Sequence, residues 1–162
     1  ENKKASKYWR DVGTLDAYWE ANLDLTRVVP ELNLYDELWP VLGRQPTRPP
    51  AKFVFDDAGR RGMAVDSLVS AGCIVSGATV RRSILFHGVK VAEGSLVEDS
   101  VLLPNVSVGR NVTLKRTIVD KRCALPDGFA AGVDPALDRT RFHLTERGIC
   151  LVTPQMLEAS RP

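Results

Sequence analysis

The sequence is poor in the residues that build metal centres, disulfide frameworks and membrane spans. Among its 162 residues there are three cysteines and two histidines, and Cys73, Cys123 and Cys150 form no CxxC pair. An odd number of isolated cysteines predicts buried free thiols in a reducing compartment, rather than a disulfide framework or a zinc site. No apolar run approaches the roughly 20 residues that cross a bilayer. We therefore expect a cytoplasmic protein with no membrane partner.

Charge of one sign is also scarce, because the formal net charge is +2. This balance argues against nucleic acid as a general partner. Hydrophobic content of 44% and charged content of 26% are typical of a globular protein. The chain begins with "ENKKASKYWRD", which has no initiator Met and no secretion signal, so we expect it to be a piece of a longer protein.

Residues 14–25, "TLDAYWEANLDL", have the apolar spacing of a helix. Leu15, Trp19 and Leu23 recur at every fourth position and share one helical face. Thr14 is a suitable N-cap. We predict an amphipathic helix here.

A second, shorter helix is predicted in residues 29–40, "VPELNLYDELWP", because Pro30 lies near its start and Pro40 just after its end. The following stretch, 39–52, contains four prolines. Proline disrupts helices and central strands, so this stretch predicts an extended connector.

From residue 66 a phrase recurs: "DSLVSAGCIV" at 66, "RSILFHGVKV" at 82, "DSVLLPNVSV" at 99 and "RTIVDKRCAL" at 116. The spacing between copies is nearly constant. Within the later copies Val106, Val112, Ile118 and Ala124 lie six apart, which suggests that each step is a strand plus a turn. Three such steps close one coil, and the pattern predicts a parallel β-solenoid of about four coils. The alternative is an antiparallel sandwich.

The stretch after the repeat, "DPALDRTRFHLTERGICLVTP", predicts a short helical turn and then a strand at 148–152. We expect both to cap the open end of the solenoid.

Five segments carry a family resemblance: "YWRDVGTLDAYWEANLDL", "PPAKFVFD", "DSLVSAGCIVSGATVRRSILF", "VEDSVLLPNVSVG" and "RFHLTERGICLVT". Between Tyr8 and Met156 the chain resembles the C-terminal part of bacterial glucose-1-phosphate adenylyltransferases, the ADP-glucose pyrophosphorylases. The resemblance implies an enzyme that makes ADP-glucose and pyrophosphate from ATP and glucose 1-phosphate, and that normally forms a homotetramer.

The resemblance also implies three parts: the last segment of a catalytic domain at 1–27, a helix and proline-rich linker at 28–55, and, at 56–162, a regulatory and oligomerisation domain that is a left-handed parallel β-helix with a C-terminal cap. The glycine-rich nucleotide loop of such enzymes is not in this chain. We therefore expect the chain alone to be inactive.

Asp11, in "WRDVGT", is the candidate for direct chemistry. Carboxylate oxygen is a hard ligand that suits Mg²⁺, and nucleotidyl transfer requires that metal. The resemblance implies that Asp11 holds Mg²⁺ together with a second Asp in the absent domain, and that Tyr8 and Trp9 line the sugar-phosphate pocket. The alternatives are that Asp11 caps the turn before the helix and that both aromatic residues belong to a core.

The resemblance implies anionic effectors, of the fructose 6-phosphate, fructose 1,6-bisphosphate, pyruvate or AMP class. Lys121 occupies a position where relatives carry an effector-binding cation, and Arg122 adjoins it. The alternative for Lys121 is a solvated corner residue. Pro154 and Glu158 stand where other relatives have basic tail residues, which argues against a fructose 1,6-bisphosphate site of that kind.

A second effector candidate is the loop Ser70, Ala71 and Gly72, whose backbone amides are suited to a carboxylate such as pyruvate. Relatives often carry Gly where this chain has Ala71, so the local backbone is expected to differ.

Two other basic pairs, 81–82 and 115–116, are predicted to be solvated corners or a basic stripe for subunit contact. Two rival functions remain open. One is a hexapeptide-repeat acyltransferase that uses His87 as its base, although the coils lack a long covering loop and His143 is expected in the cap. The other is a non-enzymatic scaffold. A repeat-fold carbonic anhydrase needs three histidines and is excluded.

Overall fold

The computed structural model describes residues 8–43 and 46–160. Most of the chain from residue 52 onward forms short strands separated by tight turns. In chain order the strands are β1 (Lys52–Val54), β2 (Met63–Val65), β3 (Leu68–Val69), β4 (Ile74–Ser76), β5 (Thr79–Arg81), β6 (Ile84–Leu85), β7 (Lys90–Val91), β8 (Leu96–Glu98), β9 (Val101–Leu102), β10 (Ser107–Val108), β11 (Thr113–Lys115), β12 (Thr117–Val119), β13 (Ala124–Leu125), β14 (Ala130–Ala131), β15 (His143–Leu144) and β16 (Cys150–Val152). The helices are α1 (Leu15–Asp24), α2 (Pro135–Arg141) and α3 (Pro154–Ala159).

Three sheets form the sides of a solenoid, and the chain visits them in rotation. The first side is β1-β4-β7-β10-β13, the second is β2-β5-β8-β11-β14, and the third is β3-β6-β9-β12-β16. Neighbouring strands on each side are parallel, and β15 adds antiparallel to β16 at the end of the third side. The predicted solenoid is therefore confirmed. A sandwich is excluded because its neighbouring strands would be antiparallel.

The repeat period is the length of one coil. Ile74 lies beside Lys90, and Lys90 lies beside Ser107. These partners are spaced along the chain as the copies of the repeated phrase are, so one copy corresponds to one coil. Each coil therefore places equivalent residues in a column along the solenoid axis, and the buried columns form one core. Its fully buried members include Leu85, Leu102, Leu114, Val75, Val80, Val89, Val91, Val97 and Val106.

The predicted six-residue step is correct for the first two positions and wrong afterwards. Val106 and Val112 are fully buried in the core, but Ala124 is exposed. Ile118 is buried against α1 on the outside of the third side, not inside the coil. On the third side, the residue that faces the core is the one before Ile118. The six-residue step fails there because one side of each such coil is shorter by one residue than the other two.

A column of buried hydroxyl groups occupies the shortened side. The Ser100 amide donates to Ser83 Oγ at 3.0 Å, and the Thr117 amide donates to Ser100 Oγ at 3.1 Å. Each hydroxyl in turn donates to a carbonyl two residues earlier in its own coil. Buried hydroxyls with both functions satisfied cost little, and they replace apolar residues at this step of the coil.

Helix α1 is confirmed at Leu15–Asp24, within the predicted range. Thr14 is its N-cap, and Thr14 Oγ1 accepts a hydrogen bond from the Ala17 amide at 3.1 Å. The predicted apolar face, which includes Trp19, packs on the third side of the solenoid. Within the described ranges, no helix has the length and apolar character of a membrane span.

The second predicted helix is wrong, because residues 29–40 form turns and bends. Two side chains accept hydrogen bonds from backbone amides that would donate to backbone carbonyls in a helix. Asn33 Oδ1 accepts from the Tyr35 amide at 3.0 Å, and Asp36 Oδ1 accepts from the Leu38 amide at 2.9 Å. Tyr35 and Leu38 are 77% and 87% exposed. A short helix without a buried face is marginal in water, so the local hydrogen bonds prevail.

The two ends of the solenoid differ. Strand β1 begins at Lys52, inside the segment 28–55 that the sequence assigns to the linker, and it pairs with β4. At the far end, the predicted helical turn and strand are present as α2 and β16, and β16 continues the third side beside β12. Phe142 and Leu157 are buried there and cover the last coil.

The prediction of buried free thiols is confirmed, since Cys73, Cys123 and Cys150 are all free and buried. Burial raises the pKa of Cys123 to about 11, with a smaller contribution from the negative charge of Asp120. Burial likewise raises the pKa of Cys150 to about 12, helped by Asp138. High thiol pKa values disfavour the reactive thiolate form, which is consistent with the role of these residues as core side chains.

The register correction has a direct test in two adjacent substitutions. Cys123→Lys places an unpaired charge in the core, which we expect to lower the free energy of unfolding by at least about 3 kcal/mol. Ala124→Lys repeats what Lys90 already does in the same outward-facing row, so a change within about 0.5 kcal/mol is expected. Urea unfolding measures both values. Equal losses in the two variants would contradict the register.

Candidate functional site

The predicted Mg²⁺ ligand Asp11 lies in an exposed turn directly before α1. Its Oδ1 accepts a hydrogen bond from the Gly13 amide at 2.9 Å, which holds the turn. The second carboxylate oxygen has no hydrogen-bond partner among the described residues. Asp11 therefore has the turn-forming contact of the structural alternative, and it also presents a hard oxygen to the outside.

The residues around Asp11 do not complete a metal site. In residues 8–43 and 46–160, no group of three or more His, Cys, Asp or Glu side chains is arranged to hold a metal ion. Trp9 is 82% exposed and Tyr8 is half-buried, so neither is a core residue of the described structure. Among the described residues, Asp11 is therefore not part of a complete metal site.

The helix that follows Asp11 is docked on the solenoid by an apolar cluster. On α1 the cluster includes Leu15, Tyr18, Trp19 and Leu23, and on the third side of the solenoid it includes Val101, Ile118 and Ile149. The Trp19 indole N–H also donates to the Asp99 carbonyl at 2.8 Å. The helix is thus held by burial and by a directed hydrogen bond.

Polar contacts join α1 to the cap as well. Thr145 Oγ1 donates to Asp16 Oδ1 at 2.7 Å, and Arg147 forms an ion pair with Glu20. The Arg116 guanidinium lies 5.1 Å from the centre of the Trp19 ring, at cation–π distance. The segment that carries Asp11 is therefore connected to two parts of the solenoid that are far apart in sequence.

The corner between the second and third sides lies next to α1, and we call it the helix corner. Its residues are Asp66, Arg82, Asp99 and Arg116, all with positive φ between 42° and 48°. Their charges alternate along the column. Arg82 Nε contacts Asp99 Oδ1 at 2.7 Å, and its Nη2 contacts Glu98 Oε1 at 2.8 Å. These hydrogen bonds, that to Asp99 first, raise the pKa of Arg82 further above its ordinary value.

The basic stripe predicted from the pairs 81–82 and 115–116 is therefore not basic. Glu98 lies between Arg81 and Lys115 in the strand register, and Asp99 pairs with Arg82. Charge alternation arises because the acidic copy of the repeat falls between two basic copies. The stripe is a set of ion pairs within the solenoid.

Both predicted effector segments lie on one corner, between the third and first sides, which we call the linker corner. It consists of the turns 71–72, 87–88, 104–105 and 121–122. The amides of Gly88, Asn105 and Arg122 each donate to the turn below, at 3.0 to 3.2 Å. Ala71 and Lys121 are three coils apart, which is about 14 Å at the spacing of parallel strands.

The amides of the Ser70, Ala71 and Gly72 loop are largely in use. The Ser70 amide donates to the Leu85 carbonyl at 3.0 Å, and the Gly72 amide donates to the Pro49 carbonyl at 2.7 Å. An anion at this loop would therefore need donors besides these two amides.

Lys121 and Arg122 are exposed, and neither side chain forms an ion pair within the described ranges. The Lys121 amide donates to Asp120 Oδ1 at 2.8 Å, which shapes the turn. Arg122 has φ 62°, so its backbone is left-handed like that of the glycines in the same column. The two cations remain available to an anionic ligand.

Sequence reasoning missed Arg48, whose side chain lies on the linker corner. Its Nη2 donates to Asn105 Oδ1 at 3.1 Å, although the two residues are far apart in the sequence. An isolated Arg between prolines carries no sequence signal of such a contact. Gly72 and Gly88 both have positive φ, and a Cβ at either position would also lie within 3.0 Å of an Arg48 side-chain atom.

The family model described as "GlmU-like, C-terminal hexapeptide" matches residues 49–152. The chain is 62% identical over 150 residues to a glucose-1-phosphate adenylyltransferase of Nitrosospira multiformis and 64% identical over 151 residues to that of Paramagnetospirillum magneticum. Each match covers 93% of this chain and 35% of the relative. The relative from Albidiferax ferrireducens is 60% identical over 158 residues, with 98% and 37% covered.

These matches confirm the family resemblance inferred from the sequence. The chain spans about a third of the length of the curated relatives it matches, and the matched region is their C-terminal part. The similarity includes α1 as well as the solenoid, since it extends well beyond residues 49–152.

The docking of α1 has its own test. Trp19→Ala removes the ring from the apolar cluster and the indole hydrogen bond, which together hold the helix on the solenoid. We expect the amides of residues 18–24 to exchange with deuterium about tenfold faster or more, while the amides of β9 keep their protection. Trp39→Ala is the control, because Trp39 is 60% exposed and lies outside the cluster. Unchanged exchange in α1 would show that the other contacts suffice.

Proposed function

Because the chain belongs to the GlmU-like C-terminal hexapeptide family and closely matches glucose-1-phosphate adenylyltransferases, we propose that it is the regulatory and assembly part of such an enzyme. The complete enzyme makes ADP-glucose and pyrophosphate from ATP and glucose 1-phosphate. The observation that carries the proposal is the match itself, which over 158 residues spans both the Asp11 segment with α1 and the solenoid on which α1 is docked.

In this proposal residues 1–27 are the end of the catalytic domain, 28–55 the linker and 56–162 the regulatory β-helix. In the reaction a phosphate oxygen of glucose 1-phosphate attacks the α-phosphorus of ATP, the bond to the bridging oxygen breaks, and pyrophosphate leaves. Asp11 would be one ligand of a Mg²⁺ ion, which would supply charge stabilisation at the transferring phosphate. Tyr8 and Trp9 would line the sugar-phosphate pocket from their position beside Asp11.

The docked helix gives the solenoid a physical connection to the catalytic segment. Asp11 lies one short turn before Leu15, where α1 begins, and α1 contacts the third side and the cap. A change in the solenoid that moves α1 would move the Asp11 carboxylate with it. A packed element with contacts at both sites is one physical route for the coupling free energy that defines allostery.

Anionic metabolites are the proposed effectors, and the linker corner is their proposed site. Lys121 and Arg122 supply positive charge there, and the 70–72 loop supplies a small-residue turn. Fructose 6-phosphate, fructose 1,6-bisphosphate, pyruvate and AMP all carry the charge that such cations bind. The enzyme is proposed to act in the cytoplasm as a homotetramer.

The catalytic proposal is tested in the full-length enzyme by Asp11→Asn. Asparagine keeps the turn contact to the Gly13 amide and removes the negative charge, so ADP-glucose synthesis is expected to fall by about a hundredfold or more while the fold is retained. The matched control is Asp36→Asn, since Asp36 makes the same turn with the Leu38 amide at 2.9 Å. Near-normal turnover in Asp11→Asn would remove Asp11 from the mechanism.

The regulatory proposal is tested by activation curves of the full-length enzyme. Lys121→Ala is expected to raise the fructose 6-phosphate concentration for half-activation several-fold, because a charge-assisted contact is lost. Ala71→Gly is expected to alter the response to pyruvate, because the loop gains backbone freedom. Lys90→Ala, on the outer face of the first side, is the control. If both variants respond to both ligands as the parent enzyme does, this corner is not the effector site.

A further inference from the structure

Arg48 is built into the linker corner. The Gly72 amide donates to the Pro49 carbonyl at 2.7 Å and fixes the backbone beside Arg48. A Cβ at Gly72 would lie 2.9 Å from Arg48 Cδ, and a Cβ at Gly88 would lie 2.8 Å from Arg48 Nη1. The side chain thus follows a path that two glycines leave open, and it ends at the Asn105 amide group.

The Arg48 charge has no carboxylate partner within the described ranges. By contrast, Arg60, Arg82 and Arg141 each contact an Asp or Glu. Among the described residues, Arg48 Nε is buried without a hydrogen-bond partner, and Nη1 also has no protein partner but is not enclosed. A half-buried guanidinium with unused donors is costly unless an anion or water completes it.

The surroundings of Arg48 favour an anion. Asn105 Oδ1 is taken by Arg48, which leaves the Asn105 side-chain NH₂ as a second donor beside Nη1. Lys121 and Arg122 lie on the next coil of the same corner, about 4.8 Å further along the axis. Burial raises the pKa of Cys73, and the positive charge of Arg48 nearby partly opposes this rise.

We propose that Arg48 and Asn105 bind a small anion, a carboxylate or a phosphate group, at the linker corner. Arg48 supplies the charge that the 70–72 loop cannot, because two of the three loop amides already donate within the protein. Lys121 and Arg122, on the next coil, add further positive charge beside the contacts that Arg48 and Asn105 make. This inference rests on the proposed function for its regulatory meaning, but the binding itself is a property of this chain.

Direct binding to the 162-residue chain tests the proposal, with pyruvate, fructose 6-phosphate and inorganic phosphate as separate calorimetric probes. Comparing the affinities of fructose 6-phosphate and inorganic phosphate with that of pyruvate shows whether the site prefers a phosphate or a carboxylate. Arg48→Gln is expected to weaken the binding of the preferred anion about tenfold or more, since a charged donor is lost. Arg139→Gln, which removes an exposed arginine on α2, is expected to stay within about twofold.

Asn105→Asp separates anion binding from a merely structural role for Arg48. Aspartate tolerates the positive φ of 62° at this position and still accepts the Arg48 hydrogen bond, so the linker stays attached and the thermal midpoint does not fall. The new carboxylate neutralises Arg48 and repels an incoming anion, so we expect binding to be lost.

Two results would overturn the proposal. One is an Asn105→Asp variant that binds as the parent chain does, which would make Arg48 a linker anchor alone. The other is the lack of saturable binding of all three anions to the parent chain. Neither result bears on the Asp11 experiment, so a failure here is distinguishable from a failure of the proposed function.

Discussion

Each coil of the solenoid can bury its inward side chains only against the coils next to it. The parallel hydrogen bonds between equivalent strands of successive coils keep these columns aligned, as in the Ile74, Lys90 and Ser107 row. Val89 and Val106, for example, are fully buried because equivalent residues lie on neighbouring coils. Repetition of the sequence is therefore a packing requirement, and residues at the corners are released from it.

The corners are where equivalent positions diverge, and that divergence separates structural charge from available charge. At the helix corner, acidic and basic residues alternate, and Arg82 and Asp99 satisfy each other. At the linker corner, the turn residues Lys121 and Arg122 and the side chain of Arg48 from the linker form no ion pair within the described residues. The helix corner provides a comparison within the same molecule, because its Arg82 and Asp99 charges are used in an ion pair between coils.

Prediction from sequence succeeded where the determinants are local or periodic. The α1 face of Leu15, Trp19 and Leu23 is encoded within a short segment, and the coil period is visible in four copies. The six-residue step failed at Ile118 because the column that joins Ser100 to Thr117 forms between coils. Arg48 was missed for the same reason, since its partner Asn105 is distant in the sequence. The false helix at 29–40 reflects a competition with side-chain hydrogen bonds that only the structure resolves.

The linker and α1 contact the solenoid at different corners, and this arrangement constrains any regulatory motion. Arg48 and Pro49 attach the linker at one edge of the third side, and Trp19 attaches α1 near the other edge, at Asp99. The third side lies between these edges, so a rigid solenoid fixes both ends of the chain segment that joins them. In the proposed regulatory role, an anion that changes how tightly the linker is held would act on α1 through that segment, without any change inside the core. The stacked coils would then hold the segment that carries Asp11 in a fixed position relative to the linker.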